Sequence, residues 1–347
     1  MKKIAIILYA LCFFALIFAP FLCMPWAKNQ LTENRPLAQW PTLFVEGSVN
    51  LTWPKEMEDY FRDRFAGRLM MVDAWGRVLA TVFNVSANDK VILGDDGWLF
   101  FQETEADYDG SAALGAYEME DLINYLRTEK NAAEARGQAF IIVIAPNKNS
   151  IYGEYMPDRY YRSTQAGNLE RLLLAEGLDC IDLVALFSGT ERLYYRTDSH
   201  WNSTGARLAA QAIMRHIEEK TGVAAALDAV VAGERYIAGD LARMLYPLSA
   251  AAEADTYYVA GAQNFRTIGR FRDFNDLNIT TESDGAPLRL AMYRDSFADA
   301  LIPYLSNAYG HVHYNRQTPP DLDSEAFLAA DVIIFQMAER RLPELVE

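Results

Sequence analysis

Hydrophobic positions fall into three patterns along this chain, and each pattern predicts a different kind of element. From residue 4 to residue 24 they are almost continuous, broken by Tyr9 and Pro20, with Lys2 and Lys3 in front. An apolar run of about twenty residues suffices to cross a bilayer core as a helix, whereas cleaved signals usually have a shorter one. Positive charge ahead of the run favours an orientation with the remainder outside the cytoplasm. No A-x-A site follows, and Pro20-Phe21-Leu22-Cys23 lacks the small residues of a lipoprotein cleavage site. We expect an uncleaved signal anchor over 1–27, with a cleaved signal peptide and a secreted or periplasmic product as the alternative. In either case the rest of the chain is extracytoplasmic. Residues 28–55 read as a polar, proline-punctuated linker leading off the membrane.

The second pattern has the spacing of a helix. Phe61, Phe65, Leu69 and Val72 predict an amphipathic helix over 56–85. A helix from 116 to about 136 is expected to stop at Gly137. Ser163 can cap a helix reaching Glu176, and Ser203 can cap another from Thr204 to about Lys220. Further helices are expected after Ser296 and near Ser324.

The third pattern consists of short unbroken apolar runs, the mark of strands buried on both faces. They lie at 139–145, ending at Pro146, and at 178–181, 288–293, 312–314 and 332–336. Two shorter runs, 91–93 and 98–101, flank a Gly94-Asp95-Asp96-Gly97 turn and predict a hairpin. Strands alternating with helices imply an α/β domain over 56–347, with a parallel sheet covered on both faces. The stretch 223–285 breaks the alternation and reads as an insertion with some strand.

Composition narrows the function. The formal charge is -15 and no lysine or arginine cluster forms a long basic face, which argues against nucleic acid as a partner. An anionic polysaccharide would need only a local basic groove. Cys12 and Cys23 fall in the apolar run, so Cys180 stands alone in the exported body, where it reads as a buried, inert thiol rather than a reactive one.

Two distant motifs carry candidate chemistry. Thr197-Asp198-Ser199-His200-Trp201-Asn202 sets a carboxylate two residues before an imidazole. Tyr293-Arg294-Asp295-Ser296-Phe297 sets a serine where a buried strand turns into a helix. A serine hydroxyl becomes a nucleophile when a neighbouring base takes its proton, and a carboxylate can orient that base. The first helical N–H groups after Ser296 would face an incoming carbonyl. The plain alternatives are that Ser296 or Asp295 caps a helix, and that Asn202 or Ser203 caps the one after His200. Only four histidines compete for the role of base. His311 and His313 could share a strand face as metal ligands do, but no acidic or thiol partner is spaced to complete a site, and a structural pair is the better reading. His216 falls on the charged side of a helix. Asn147 and Lys148 follow the strand ending at Ala145, where they can serve an oxyanion or a substrate, or simply cap a loop. Arg294 sits beside the serine, and Glu339-Arg340-Arg341 follow the last strand; for these three surface ion pairing is the better reading.

Taken in order, several segments resemble a known group. They are Glu33-Asn34-Arg35-Pro36-Leu37, Asp96-Gly97-Trp98-Leu99-Phe100, Pro146-Asn147-Lys148 followed by Ile151-Tyr152, residues 195–201 with Gly205-Ala206, Arg294-Asp295-Ser296-Phe297, and Glu339-Arg340. The chain resembles the SGNH-hydrolase-like proteins of the alginate O-acetyltransferase type, the AlgJ/AlgX relatives, and the allied DHHW proteins. The resemblance implies an SGNH-hydrolase-like (flavodoxin-like) parallel sheet flanked by helices. It implies Ser296 as nucleophile, His200 as base and Asp198 as orienting acid, with Asn147, Lys148, Tyr152, Arg294 and Arg340 as oxyanion or substrate-binding candidates. The implied activity moves an acetyl group through the serine onto hydroxyls of an extracellular polysaccharide, supplied by a membrane-bound O-acyltransferase partner, with no metal or diffusible cofactor. Arg294 stands where the better-known Gly-Asp-Ser form has glycine. The chain after the last strand leaves no room for the C-terminal carbohydrate-binding module of the AlgX type. A carbohydrate esterase using the same three residues, and a non-catalytic glycan-binding subunit of an export complex, are the alternatives.

Overall fold

The unbroken apolar runs become four adjacent strands of a six-stranded sheet because neither of their faces can meet water. In the computed structural model, which describes residues 2–24, 37–45, 47–189, 191–226, 229–260 and 264–346, the strand order is Ala139–Ala145, Val332–Ala338, Ala286–Tyr293, Tyr309–Asn315, Asn278–Glu282, Arg266–Ile268. The first four strands run parallel, with Ile142 opposite Phe335 and Leu290 between Val332 and Val312. The last two are antiparallel, so the sheet is mixed rather than parallel throughout.

Alternate residues of each strand enter opposite cores, as the pleat requires. Ile141, Val143, Leu290, Met292 and Ile334 pack with Ala206, Ala210 and Ile213 of the helix Ser203–Thr221. Phe140, Ile142, Ala291, Ile333 and Phe335 pack with Met119, Leu122 and Leu126 of the helix Ala116–Ala135. That helix ends as expected, with Gly137 at φ +80° just beyond it, a conformation that favours glycine. The hairpin Val91–Leu93 with Leu99–Phe101 also forms, and Asp96 and Gly97 take the positive φ values its turn needs.

Three expected elements differ. The segment 178–181 makes only an isolated bridge, Ile142 to Cys180, because one residue pair is all that reaches the sheet; burial pushes the Cys180 thiol up to about 12. The helix expected from Ser163 to Glu176 is shortened to Asn168–Leu173, entered through Gly167, whose N–H donates to Glu170. The helix expected over 56–85 begins at Trp53, where Pro54 suits the first turn, and breaks after Arg64. Gly67, at φ +80°, starts a second helix, Arg68–Val78, which runs into a π turn, Leu79–Phe83.

The chain divides into two compact units. The smaller holds residues 1–91 and 240–251, and the larger holds 92–239 and 252–347. In the smaller unit the helix Lys2–Cys23 contains an apolar stretch, Ile6–Cys23, long enough to cross a membrane and unburied by the rest of the chain. In the larger unit the stretch read as an insertion supplies the last two strands of the sheet, Asn278–Glu282 and Arg266–Ile268, and an antiparallel ribbon, Ala229–Ala238 with Ala252–Ala260. Residues 33–36 of the first motif, the linker over 28–36, and residues 227–228 and 261–263 lie outside the described residues.

Candidate active site

Ser296 stands where the buried strand Ala286–Tyr293 leaves the carboxyl edge of the sheet and enters a short 3-10 turn, Ser296–Ala300. Asp295 is the cap here. Its Oδ1 accepts the Phe297 N–H at 2.9 Å and the Gln336 side-chain N–H at 3.0 Å, and its Oδ2 accepts the Ala338 N–H at 2.6 Å. Gln336 returns the contact by accepting the Asp295 N–H at 2.9 Å. The turn is thus bolted to the neighbouring strand, and the serine hydroxyl is left for another partner. The Phe297 N–H, expected to face an incoming carbonyl, is spent on this cap.

That partner is His200. Its Nε2 lies 2.9 Å from Ser296 Oγ, and its Nδ1 lies 2.7 Å from Asp198 Oδ1. The same carboxylate oxygen accepts the His200 N–H at 3.0 Å, and the Ser199 hydroxyl lies 3.2 Å from Nδ1. With the ring proton on Nδ1 facing the carboxylate, Nε2 can accept from the serine. The imidazole packs on the Phe297 ring with 4.9 Å between centres, and its side chain is 27% exposed.

The loop that carries Asp198 and His200 is held from several sides. The Lys148 ammonium donates to the carbonyls of Tyr195, Arg196 and Asp198 at 3.2, 3.1 and 2.6 Å, lying over the Trp98 and Phe100 rings. Glu253 of the ribbon accepts the Arg196 and Thr197 N–H groups at 3.0 and 2.8 Å and the Thr197 hydroxyl at 2.6 Å. Asp255, two residues on, accepts from the Tyr195 hydroxyl, the Ser203 hydroxyl and Arg235 Nε at 2.8, 2.7 and 2.9 Å. Gly239 packs so close that a Cβ there would lie 2.1 Å from the Thr197 carbonyl oxygen. The next helix is capped by Asn202, whose Oδ1 accepts the Gly205 N–H at 2.9 Å, while Ser203 belongs to the Asp255 cluster.

The remaining sequence candidates scatter around this centre. Asn147 is buried, its backbone N–H donating to Glu339 at 2.7 Å and its amide to Asp107 at 2.8 Å. Burial pushes the Glu339 carboxyl up to about 7, and the same cause raises Asp107. Tyr152 stacks on Trp98 at 4.7 Å, and its hydroxyl accepts the Leu193 N–H at 2.8 Å, a packing role in the chain leading to the histidine loop.

Arg294, an oxyanion or substrate-binding candidate, is taken up inside the fold. Its side chain is fully buried, paired with Asp299 and donating to the carbonyls of Phe274 and Asp276 at 2.7 and 3.1 Å. Burial outweighs the mutual attraction of that pair, lowering the arginine and raising the aspartate. Arg340 comes closer to the centre, with its guanidinium 5.7 Å over the Phe297 ring and 5.3 Å over Phe101. Arg341 pairs with Glu344 instead. The other histidines are apart from it: His313 Nδ1 lies 2.9 Å from the Thr280 hydroxyl, His311 lies 3.8 Å from Glu282, and His216 lies 3.6 Å from Glu219.

Glu253, Asp255, Gly239 and Gln336 escaped sequence reasoning. The one available signal was Glu253-x-Asp255 on a single strand face, and it lay in the stretch that fitted the alternation worst.

The mixed sheet, the helices on both faces and the serine at its carboxyl edge define an α/β domain of the SGNH-hydrolase-like class. Residues 91–262 match the family described as the SGNH hydrolase-like domain of the acetyltransferase AlgX, which makes that segment similar to the AlgJ/AlgX-like group. Among curated proteins it is 26% identical over 178 residues to the probable alginate O-acetylase AlgJ of Pseudomonas syringae pv. tomato, a match covering 50% of this chain and 44% of that protein. The match to the Pseudomonas aeruginosa AlgJ is 25% over 169 residues, covering 47% and 41%. The matched region therefore spans less than half the length of these relatives. Among solved structures, Bacillus cereus PatB1 superposes with a TM-score of 0.59 at 18% identity, covering 74% of this chain and 98% of that one. The O-acetyltransferase domain of Pseudomonas putida AlgJ gives 0.50 at 21%, covering 73% and 92%. Ser296 lies beyond residue 262, so its approach to His200 is a property of the tertiary fold and not of the matched segment.

Proposed function

We propose that this chain is a membrane-anchored, extracytoplasmic O-acetyltransferase that moves an acetyl group through Ser296 onto hydroxyls of a cell-surface or secreted polysaccharide. The observation that carries the reading is the hydrogen-bonded series Asp198–His200–Ser296 at the carboxyl edge of the sheet. The AlgJ relatives, named probable alginate O-acetylases, support acetyl transfer and a polysaccharide acceptor. The apolar stretch Ile6–Cys23 supports the anchor.

The chemistry follows from the geometry. Ser296 Oγ bonds to the acyl carbon of the donor as its proton passes to His200 Nε2, and Asp198 holds the imidazolium that forms. The bond from acyl carbon to the donor's leaving oxygen breaks, and that oxygen takes the proton from Nε2. A sugar hydroxyl then gives its proton to Nε2 and attacks the acyl-serine, and Ser296 Oγ leaves with the proton restored. Arg340, stacked on Phe297 next to the serine, is suited to an anionic group of the acceptor or to the developing oxyanion. The donor fits a membrane-bound O-acyltransferase partner, which an anchored enzyme would meet at the bilayer.

Hydrolysis of the same acyl-serine is the second reading, and the partial exposure of the His200 ring favours it, because water can reach the base. The deciding experiment supplies an activated acetyl ester to the full chain in detergent, with and without oligosaccharide acceptors. Acetylated sugar from the wild type and none from Ser296→Ala is the expected result. Ester loss without sugar product, even at high acceptor, would make the protein an esterase. Equal inertness of both would leave a glycan-binding subunit.

A further inference from the structure

One helix of the smaller unit is built inside out. Arg68–Val78 turns Asp73 and Gly76 inward, against the chain at 245–249. The Asp73 carboxylate accepts the N–H groups of Leu248 and Ser249, both at 3.0 Å, and a Cβ on Gly76 would lie 2.7 Å from the Leu245 carbonyl oxygen. On the other side Met71, Trp75, Val78 and Val82 recur at steps of four, three and four residues, which lines them up in one stripe. They are 59, 58, 42 and 67% exposed, and Met70, Phe83 and Val85 widen the face. A helix of a water-soluble domain does the reverse, and an exposed patch of this kind marks a surface that something apolar covers.

Three observations indicate what covers it. Between Phe61 and Val85 every exposed or half-exposed charge is an arginine, at 62, 64, 68 and 77, while Asp63 and Asp73 are buried. In a chain of net charge -15 this segment is suited to an anionic surface. Next, Phe21, near the end of the apolar stretch Ile6–Cys23, packs edge-on against Phe61 and Phe65, with ring centres 5.8 and 5.6 Å apart. The stripe helix therefore starts three residues beyond a contact with the end of the anchor. Finally, Trp40, Phe44, Trp75 and Phe83 of this unit are all exposed, and aromatic rings favour the boundary between lipid and water.

We propose that the face formed by Met71, Trp75, Val78 and Val82 lies in the headgroup region of an anionic phospholipid bilayer, with Arg64 and Arg68 set towards lipid phosphates, while Arg62 stays paired with Asp59 and Arg77 with Asp73. The proposal rests on the anchored reading of Ile6–Cys23. It makes the smaller unit a second membrane contact, one that fixes the orientation of what emerges from the anchor.

The test uses the full chain reconstituted at one copy per nanodisc of phosphatidylcholine with phosphatidylglycerol. A bimane probe is placed at Val78→Cys, with Cys12, Cys23 and Cys180 replaced by serine. The same probe at Tyr117→Cys, 85% exposed in the larger unit, is the reference. The Val78 probe should be quenched at least threefold more by a headgroup-proximal nitroxide lipid than the reference, and at least threefold less by iodide. Reversing Arg64 and Arg68 to glutamate should shrink both differences. Equal iodide quenching at the two sites would overturn the proposal, as would shielding from iodide and nitroxide alike, which would mean that protein covers the stripe. Carbonate extraction from vesicles separates the two levels. A chain that stays in the membrane while Val78 is open to iodide loses this proposal alone, and a chain that washes off loses the anchor as well.

Discussion

The two loops that build the candidate site are held in different ways. The Ser296 turn is fixed by its own strand and the strand beside it, through Asp295, Gln336 and the Ala338 N–H. The Asp198–His200 loop has no strand beneath it. It hangs from Lys148, about fifty residues earlier, and from Gly239, Glu253 and Asp255, about forty to fifty-five residues later. The place of Ser296 is thus a consequence of the sheet, whereas His200 is placed by a scaffold of side chains. The comparison teaches that the histidine loop is where single changes should disturb geometry with the least effect on the core.

The largest effect is expected from Gly239→Ala. The added methyl meets a backbone carbonyl at 2.1 Å, so the Thr197 segment must move and carry Asp198 with it. Acetyl-transfer kcat should fall by about a hundredfold or more, the scale of an ångström of misplacement. Retention of full activity would show that the loop is placed by something else. Asp295→Asn tests the other loop. It sets an amide N–H against the N–H of Ala338 or Phe297, and should cost about 1–3 kcal/mol in urea unfolding while lowering kcat. Glu253→Gln comes next, with roughly a tenfold loss in kcat, KM for the acetyl ester little changed, and stability nearly that of the wild type. If it instead unfolds the protein as readily as Asp295→Asn, the contrast between the loops fails.

The smallest effect on activity concerns pH. Burial raises Glu339 from 4.5 to about 7, so the folded protein binds this proton more tightly than the unfolded chain. Its stability contribution is complete below pH 4.5 and is lost as pH rises through about 7, a change of at most about 3 kcal/mol. Glu339→Gln keeps an acceptor for the Asn147 N–H and for the Ser150 hydroxyl, which donates to Glu339 at 2.7 Å, and should flatten that part of the stability–pH curve, as followed by thermal unfolding from pH 5 to 8.

The sequence was most legible where burial is periodic. The runs at 139–145, 288–293 and 332–336 announced strands because each residue had to face one of two cores, and Gly137 marked a helix end because it supplies the left-handed turn. The motifs at 198–200 and 295–296 were legible because chemistry needs those groups at short spacing. The two antiparallel strands were not legible: Asn278–Glu282 alternates weakly and gains its place only by pairing with Tyr309–Asn315 and Arg266–Ile268. Asp295 and Asn202 could not be told from Ser296 and Ser203 as caps, since all four are good capping residues and only the partners in space decide.

By itself, then, the sequence determined the α/β alternation, the apolar first helix and the choice of Ser296, His200 and Asp198 as candidate groups, because each depends on residue types a few positions apart. Tertiary structure decided that Ser296 meets His200 across 96 residues, that a mixed sheet replaces a parallel one, and that Glu253 and Asp255 brace the loop. It also decided that one helix buries its aspartate and exposes its apolar stripe. Those outcomes depend on which surfaces find each other once the chain has packed, and no local pattern encodes that.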